Sequence, residues 1–282
     1  MPNATLLKKV CTDCIPMFLS RILLTLLCVG MLAGCQRGYS PADLDGSKTE
    51  QSCLFPDTNV GAPDIPKVSI PPLAELLGHV NPAQDTAFEA LPVQMSSRSG
   101  LFLRKEASTA FQRMHDAAKE DGLTLTALSA TRPFGHQTSI WNRKWNRPQA
   151  MGLAPFDRAL DILRYSSMPG SSRHHWGTDV DVYSLDPETF ESGQGAHVLA
   201  WLREHAVNFG FVEVYTSDSL RPGYQPEAWH WSYLPLAGPY LEAINDAAKK
   251  GTLPRFEGFE GAELADSLRI VEDFVNGINR DL

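Results

Sequence analysis

The stretch SSRHHWGTDVDVY, residues 171–183, decides how this sequence is read. Its second half, TDVDVY (178–183), alternates acidic with apolar side chains. That two-residue period describes a β-strand with Val180 and Val182 on one face and Asp179 and Asp181 on the other. A face of carboxylates is expensive to bury unless hydrogen bonds or positive charge meet it. The first half places two histidines, His174 and His175, directly upstream.

A partner for this stretch lies some fifty residues on, where AWHWSYL (228–234) reads as another strand and EAWHW (227–231) offers Glu227 and His230. His174, Asp181 and His230 together suit Zn2+: two imidazoles, one carboxylate, and a fourth position open to water. On the residues alone, His175 competes with His174 for the ligand role. Glu227 stands three positions before His230, and on a straight strand that offset points two side chains to opposite faces. A turn at Glu227, which Pro226 favours, would let its carboxylate accept a proton from a water at the metal. Asp179 shares the strand face of Asp181. It either accepts an N–H from a ligand histidine or stands in solvent. Trp176, Trp229 and Trp231 are core residues by default, with cleft-lining as the alternative.

Working outward, Ala107, Ala110, Phe111, Met114 and Ala118 recur at helical spacing over 105–121, with Gly122 as a stop. LTLTALSA (123–130) alternates like a strand and ends at Arg132-Pro133, because proline has no N–H for a ladder. Helices are expected over 136–146, 155–166 and 196–210, a strand over 211–215, and a further helix from Pro239. Leu264, Leu268, Val271, Val275 and Ile278 form one helical stripe, expected to pack on the domain. The strands and helices do not alternate strictly. The expected class is therefore α+β, with a small, mainly antiparallel sheet flanked by helices.

The chain has 282 residues, 43% of them hydrophobic, and a net charge of −8. That balance excludes a non-specific nucleic-acid binder, which needs a basic surface. Lys8, Lys9 and Arg21 precede the apolar run ILLTLLCVGMLAG (22–34), which has the length of a secretory core rather than a membrane span. LAGC (32–35) resembles a bacterial lipoprotein signal, in which residues 1–34 are removed and Cys35 carries lipid. A plain secretory signal or short anchor is the alternative. Residues 1–34 hold three basic residues and one acidic one, so attachment would rest on acyl chains rather than on a basic patch. Cys53 is then the remaining thiol, and no intramolecular disulfide is expected. Residues 35–94 are rich in proline and read as a tether, with packing of part of it on the domain as the alternative and LAELLGHV as a short helix within it. The expected organisation is a signal (1–34), lipidated Cys35 and tether (35–94), a domain holding the candidate zinc site (95–250) and a C-terminal helical extension (251–282), as a monomer.

SRHHWGTDVD (172–181) and EAWH (227–230) resemble the two signatures of the VanY-type D-alanyl-D-alanine/LD-carboxypeptidase family of zinc peptidases. These signatures are Ser-x-His-x-x-Gly-x-Ala-x-Asp and Glu-x-x-His. Ser172, His174, Gly177 and Asp181 match the first, while Asp179 stands in the alanine place. Glu227, Trp229 and His230 match the second. SATRPFGHQ (129–137) supplies the family's strand-ending Arg132 and, five residues on, Gln137. The resemblance favours His174 over His175 and implies a hedgehog-like α+β fold. It implies His174, Asp181 and His230 as zinc ligands and Glu227 as general base and then acid. Arg132 would contact substrate or the developing oxyanion, with Gln137 beside it, and Ser172 and Trp229 would help hold substrate. Gly177 would let the backbone turn between two ligands. The implied activity is removal of the terminal D-alanine from peptidoglycan stem peptides. An endopeptidase of the same fold is one alternative and a non-catalytic zinc-containing binding module another; the presence of Glu227 beside all three ligands argues for an enzyme. Cell-wall peptide lies outside the cytoplasm, in keeping with an exported, lipid-anchored protein. Gln36 after Cys35 points to the periplasmic face of the outer membrane in a Gram-negative host.

Overall fold

A computed structural model describes residues 68–282. The signal (1–34), Cys35, Cys53 and the first part of the proline-rich stretch lie outside the described residues. In chain order the described part runs through helix α1 (Leu73–Leu76), strands β1 (Phe88–Ala90) and β2 (Phe102–Arg104), helix α2 (Lys105–Glu120) and strand β3 (Ala127–Ser129). Helices α3 (Phe134–Trp145) and α4 (Pro155–Leu163) follow, then β4 (Asp179–Val182), α5 (Gly193–His205), β5 (Phe211–Glu213), β6 (His230–Tyr233) and α6 (Leu234–Lys249). This is the α+β arrangement expected, with a two-stranded antiparallel ribbon, β1–β2, and a four-stranded antiparallel sheet in the order β3-β4-β6-β5.

The β4–β6 register places Asp179 opposite Ser232, Val180 opposite Trp231 and Asp181 opposite His230. Residues directly opposite share a face. One face of the pair is therefore Val180, Val182 and Trp231, packed with Phe111 and Met114 of α2 and Val198 and Leu202 of α5. The other face carries Asp179, Asp181, Ser232 and His230, and it is buried too. That is the costly case the alternation raised, and the partners of these carboxylates form the site described below.

Three expectations are corrected. Residues 68–94 are part of the fold, not tether: Leu76, Leu77, Phe88 and Leu91 are buried, and α1 packs with Trp176 and α6. Composition misled here, because Pro72 and Pro92 directly precede short helices, where an absent N–H costs nothing. The last helix begins at Leu234, with Pro239 inside it. Burial of Leu236, Ala237, Tyr240 and Ile244 offsets the lost backbone bond. The stripe at 264–278 is not one helix. Arg269 takes a left-handed φ of 52° between a short 3-10 turn (Ala262–Leu264) and a π-helical turn (Ile270–Val275). The residues it buries are Leu268, Ile270, Phe274 and Val275. As expected, the stripe packs on the domain: Leu268, Ile270 and Phe274 share a core with Trp141, Trp145 and Ile162.

Candidate metal centre

His174 sits in a 3-10 turn, Arg173–Trp176, that Gly177 closes at a φ of 75°. Only glycine fits there. The left-handed backbone disfavours a side chain, and a Cβ would come within 2.4 Å of the Phe88 ring. His174 Nδ1 lies 2.9 Å from the Ala130 carbonyl oxygen, which fixes the N–H on that nitrogen. Its Nε2 then turns a lone pair toward Asp181 Oδ2, 3.2 Å away. His230 repeats the logic in mirror form. Its Nε2 donates to Asp179 Oδ2 at 2.8 Å, leaving Nδ1 facing Asp181 Oδ1 at 3.0 Å.

Two nitrogen lone pairs thus confront the two oxygens of one carboxylate, and this arrangement repels itself unless a cation lies between. The three donor groups fall within 4.8 Å of one another. Tetrahedral zinc with bonds of ~2.0–2.1 Å separates its ligand atoms by about 3.3 Å, and each histidine nitrogen lies at about that separation, 3.2 and 3.0 Å, from one or the other oxygen of Asp181. The residues therefore fit a zinc ion. Burial alone would raise the pKa of Asp181, but His174, His230 and Arg132 together hold it well below the carboxylate range. Burial lowers that of His230, yet Asp179 and Asp181 outweigh it and raise the value to about 9. A proton and a metal compete for the same position.

The turn required at Glu227 is present. Its N–H donates to the Tyr215 carbonyl at 2.9 Å, and its own carbonyl accepts from the His230 N–H at 3.1 Å. The carboxylate comes round to the metal side, with Oε2 3.8 Å from His230 Nδ1. Burial lifts the Glu227 pKa to about 7, with His230, Arg132 and Lys144 pulling the other way. A carboxylate held near neutral is suited to taking and returning a proton.

The remaining sequence-derived residues divide by position. Arg132 lines the cavity over the metal centre and donates to Asp181 Oδ2 at 2.8 Å, Ser129 Oγ at 2.9 Å and Gln137 Oε1 at 3.3 Å. Of its five N–H groups, two stay free for a ligand. Gln137 does not touch the cavity, a correction to its substrate-binding role. It is fully buried and spends its amide on Arg132 and, at 2.8 Å, the Ser167 carbonyl. It positions Arg132. Ser172 lines the cavity with a buried Oγ that has no hydrogen-bond partner among the described residues. Trp229 forms cavity wall beside Tyr165. His175 is turned away from the metal: Nδ1 donates to the Arg132 carbonyl at 2.6 Å and Nε2 accepts from the Gly170 N–H at 3.0 Å. With burial holding its pKa down to about 3, it is a neutral clamp between two loops.

Asp179 is not solvated. It is fully buried and accepts from His230, from Arg173 Nε at 3.0 Å, from Thr178 Oγ1 at 2.6 Å and from Ser232 Oγ at 2.7 Å. Arg173 and Ser232 were missed in the sequence. The signal for Ser232 was its place opposite Asp179 in the β4–β6 register; for Arg173 it was a cation six residues before a buried acid. The cavity measures about 550 Å3 and also draws in Arg98, Arg143 and Lys144, which lie outside the motifs, and His136, which lies within SATRPFGHQ without a role there.

Residues 100–236 match the family model described as VanY: D-alanyl-D-alanine carboxypeptidase. YodJ of Bacillus subtilis strain 168, which carries a provisional carboxypeptidase name, is 29% identical over 137 residues, covering 47% of this chain and 46% of that protein. An uncharacterized protein of Haemophilus influenzae is 33% identical over 81 residues, covering 24% of this chain and 60% of that one. The chain thus spans about half the length of the curated relatives it matches. Among solved structures, VanYB in complex with D-alanine-D-alanine gives 24% identity and a TM-score of 0.45, over 66% of this chain and 91% of that one. The LdcB LD-carboxypeptidase gives 20% and 0.44, over 67% and 79%. The matched segment, 100–236, holds every side chain of the metal centre, and it is the part of the chain that matches the VanY family model.

Proposed function

We propose that this protein is a zinc-dependent carboxypeptidase that removes the terminal D-alanine from peptidoglycan stem peptides, acting from a lipid anchor on Cys35. The observation that carries the reading is Glu227, buried, held near neutral and 3.8 Å from His230 Nδ1 at the edge of a three-ligand cluster. His174 Nε2, Asp181 and His230 Nδ1 would hold zinc, which when bound supplies an acidified water and a Lewis acid for the scissile carbonyl.

The chain's own residues do the rest. Glu227 takes a proton from the water that adds to the carbonyl carbon. When the C–N bond breaks, it returns that proton to the departing amine. The two free N–H groups of Arg132 meet the oxygen that becomes negative, in a pocket where burial strengthens each hydrogen bond. Ser172 Oγ, otherwise unsatisfied, gains a partner when a peptide fills the cavity. Trp229 and Tyr165 give the peptide an apolar wall.

The test is digestion of purified muropeptides by the zinc-loaded protein, with products identified by mass. Free D-alanine is expected, lost with chelator and lowered at least roughly 100-fold in Glu227→Gln. Release of a longer fragment instead would show cleavage of an internal bond. Zinc uptake without any cleavage would leave a binding module.

A further inference from the structure

We infer that Arg98, Arg143 and Lys144 form an anion subsite on one wall of the cavity, which takes a second carboxylate of the peptide, apart from the reacting bond. The inference rests on the activity proposed above and narrows its substrate.

Helix α3 builds most of this wall. Gln137, Trp141 and Trp145 are its buried stripe. His136, Ile140, Arg143 and Lys144 fall on the adjacent stripe and line the cavity. Arg98 joins from the segment before β2, close enough that it and Arg143 both act on the charge of His136, and the Ser97 N–H bonds to the Ala127 carbonyl at 2.8 Å and pins that segment to β3.

The charges on this wall are not balanced. The acids lining the cavity are Asp181 and Glu227. Asp181 is already met by Arg132, His174 and His230, and Glu227 by His230. Arg173, the other cavity arginine, is paired with Asp179. Neither Arg98 nor Arg143 makes an ion pair among the described residues, and Lys144 donates to a neutral group, Ser166 Oγ, at 2.6 Å. His136 registers the crowding: burial lowers its pKa, and so do the charges of Arg132, Arg98 and Arg143. Lys144 is lowered by burial and then by Arg147, with Glu227 acting against this.

In a chain of net charge −8, gathering the solvent-facing Arg98 and Arg143 and the half-buried Lys144, on which Glu227 is the one acid that acts, around one cavity costs repulsion that an anionic ligand relieves. Arg132 faces the reacting carbonyl, so these three are left for other groups. One terminal carboxylate neutralises one of them. The wall therefore suits a peptide with a further free carboxylate on the acyl side of the scissile bond. Arginine meets such a group bidentately.

The experiment compares two synthetic peptides that end identically in D-alanyl-D-alanine. The preceding residue is a diamino acid with a free side-chain carboxylate in one peptide and with that carboxylate amidated in the other. With the zinc-loaded full chain, kcat/KM is expected to favour the free carboxylate by about tenfold or more, chiefly through KM. The preference should shrink in roughly 0.5 M salt and collapse or invert in Arg98→Glu/Arg143→Glu. Equal rates, or a preference that the charge reversal leaves unmoved, overturn the subsite. Calorimetric binding of both peptides to the zinc-loaded Glu227→Gln protein separates the two readings. A binding preference without any turnover by the unsubstituted protein keeps the subsite and overturns the peptidase; turnover without a binding preference does the reverse.

Discussion

Asp179 stands where the family pattern has alanine, and the structure gives the carboxylate a purpose. Its bond to His230 Nε2 sets the tautomer that aims Nδ1 at the metal. Arg173, Thr178 and Ser232 hold Asp179 in turn. Asp179→Asn is expected to weaken zinc binding by about 10- to 100-fold, read by competition with a chromophoric chelator. Ser232→Ala removes one bond to Asp179 and leaves the charge, so its effect should be smaller. An unchanged affinity in Asp179→Asn would make Asp179 merely the counterion of Arg173. Glu227 supports a second prediction. In the metal-free protein its pKa sits near 7, above the ordinary 4.5. A raised carboxyl keeps its full contribution to stability below pH ~4.5 and loses about 3 kcal/mol as pH rises through 7. Glu227→Gln, metal-free, should therefore resist urea better than the unsubstituted chain at pH ~8 and match it at pH ~4.5. No stabilisation at the higher pH would mean that the burial cost of the base is met elsewhere.

Among the elements, the 3-10 turn Arg173–Trp176 carries adjacent histidines with opposite duties. His174 faces the candidate metal site, while His175 ties the turn to the loops at Arg132 and Gly170. His175 must stay neutral to accept from the Gly170 N–H, and its pKa is depressed to about 3 from the ordinary 6.5. The unfolded chain binds this proton first. The clamp's contribution is therefore complete above pH ~6.5 and declines by about 1.4 kcal/mol per pH unit toward 3. Urea titrations of the metal-free protein against His175→Gln should show the variant less stable at pH ~7.5, with the gap narrowing as pH falls. A constant gap would remove His175 as a source of acid sensitivity. These elements also show what the sequence could convey. TDVDVY named its own faces, because an acidic stripe alternating with valine has few other meanings. The Glu227 turn followed from the same two-residue arithmetic applied to a mismatch of three. Gln137 and the cationic wall were not legible in that way. Both depend on how α3 is rotated about its axis, and Trp141 and Trp145 set that rotation by packing against residues more than a hundred positions downstream. Local pattern gives a helix its stripes; only tertiary contact decides which neighbour each stripe meets.

At the scale of the whole molecule, the described residues do not divide at the boundaries that composition suggested. A chain limited to 95–250 keeps the motifs and loses two of their supports. Upstream, it loses Leu76, Leu77, Phe88 and Leu91. It also loses Gly78, whose close approach to the His175 ring leaves no room for a Cβ, and the Phe88 ring beneath Gly177. Downstream, it loses Leu268, Ile270 and Phe274, the Glu260 carbonyl that accepts from Trp141 Nε1 at 2.8 Å, and Gly261 against the Trp145 ring. Each of the seven apolar side chains contributes roughly 1.5–3 kcal/mol by its burial. Their sum matches or exceeds the ~5–15 kcal/mol by which a domain of this kind is stable. Residues 95–250 alone are therefore expected to lack a cooperative unfolding transition and to bind zinc weakly, whereas residues 68–282 should unfold in one step, with a midpoint that zinc raises. Circular dichroism on both chains, with and without zinc, is the check. A cooperative transition for 95–250 would detach the metal centre from its flanks and restore the narrower domain. Its absence would locate the stability of the site in segments that carry none of its ligands, through contacts such as Phe88 under Gly177 and Phe274 against Tyr224.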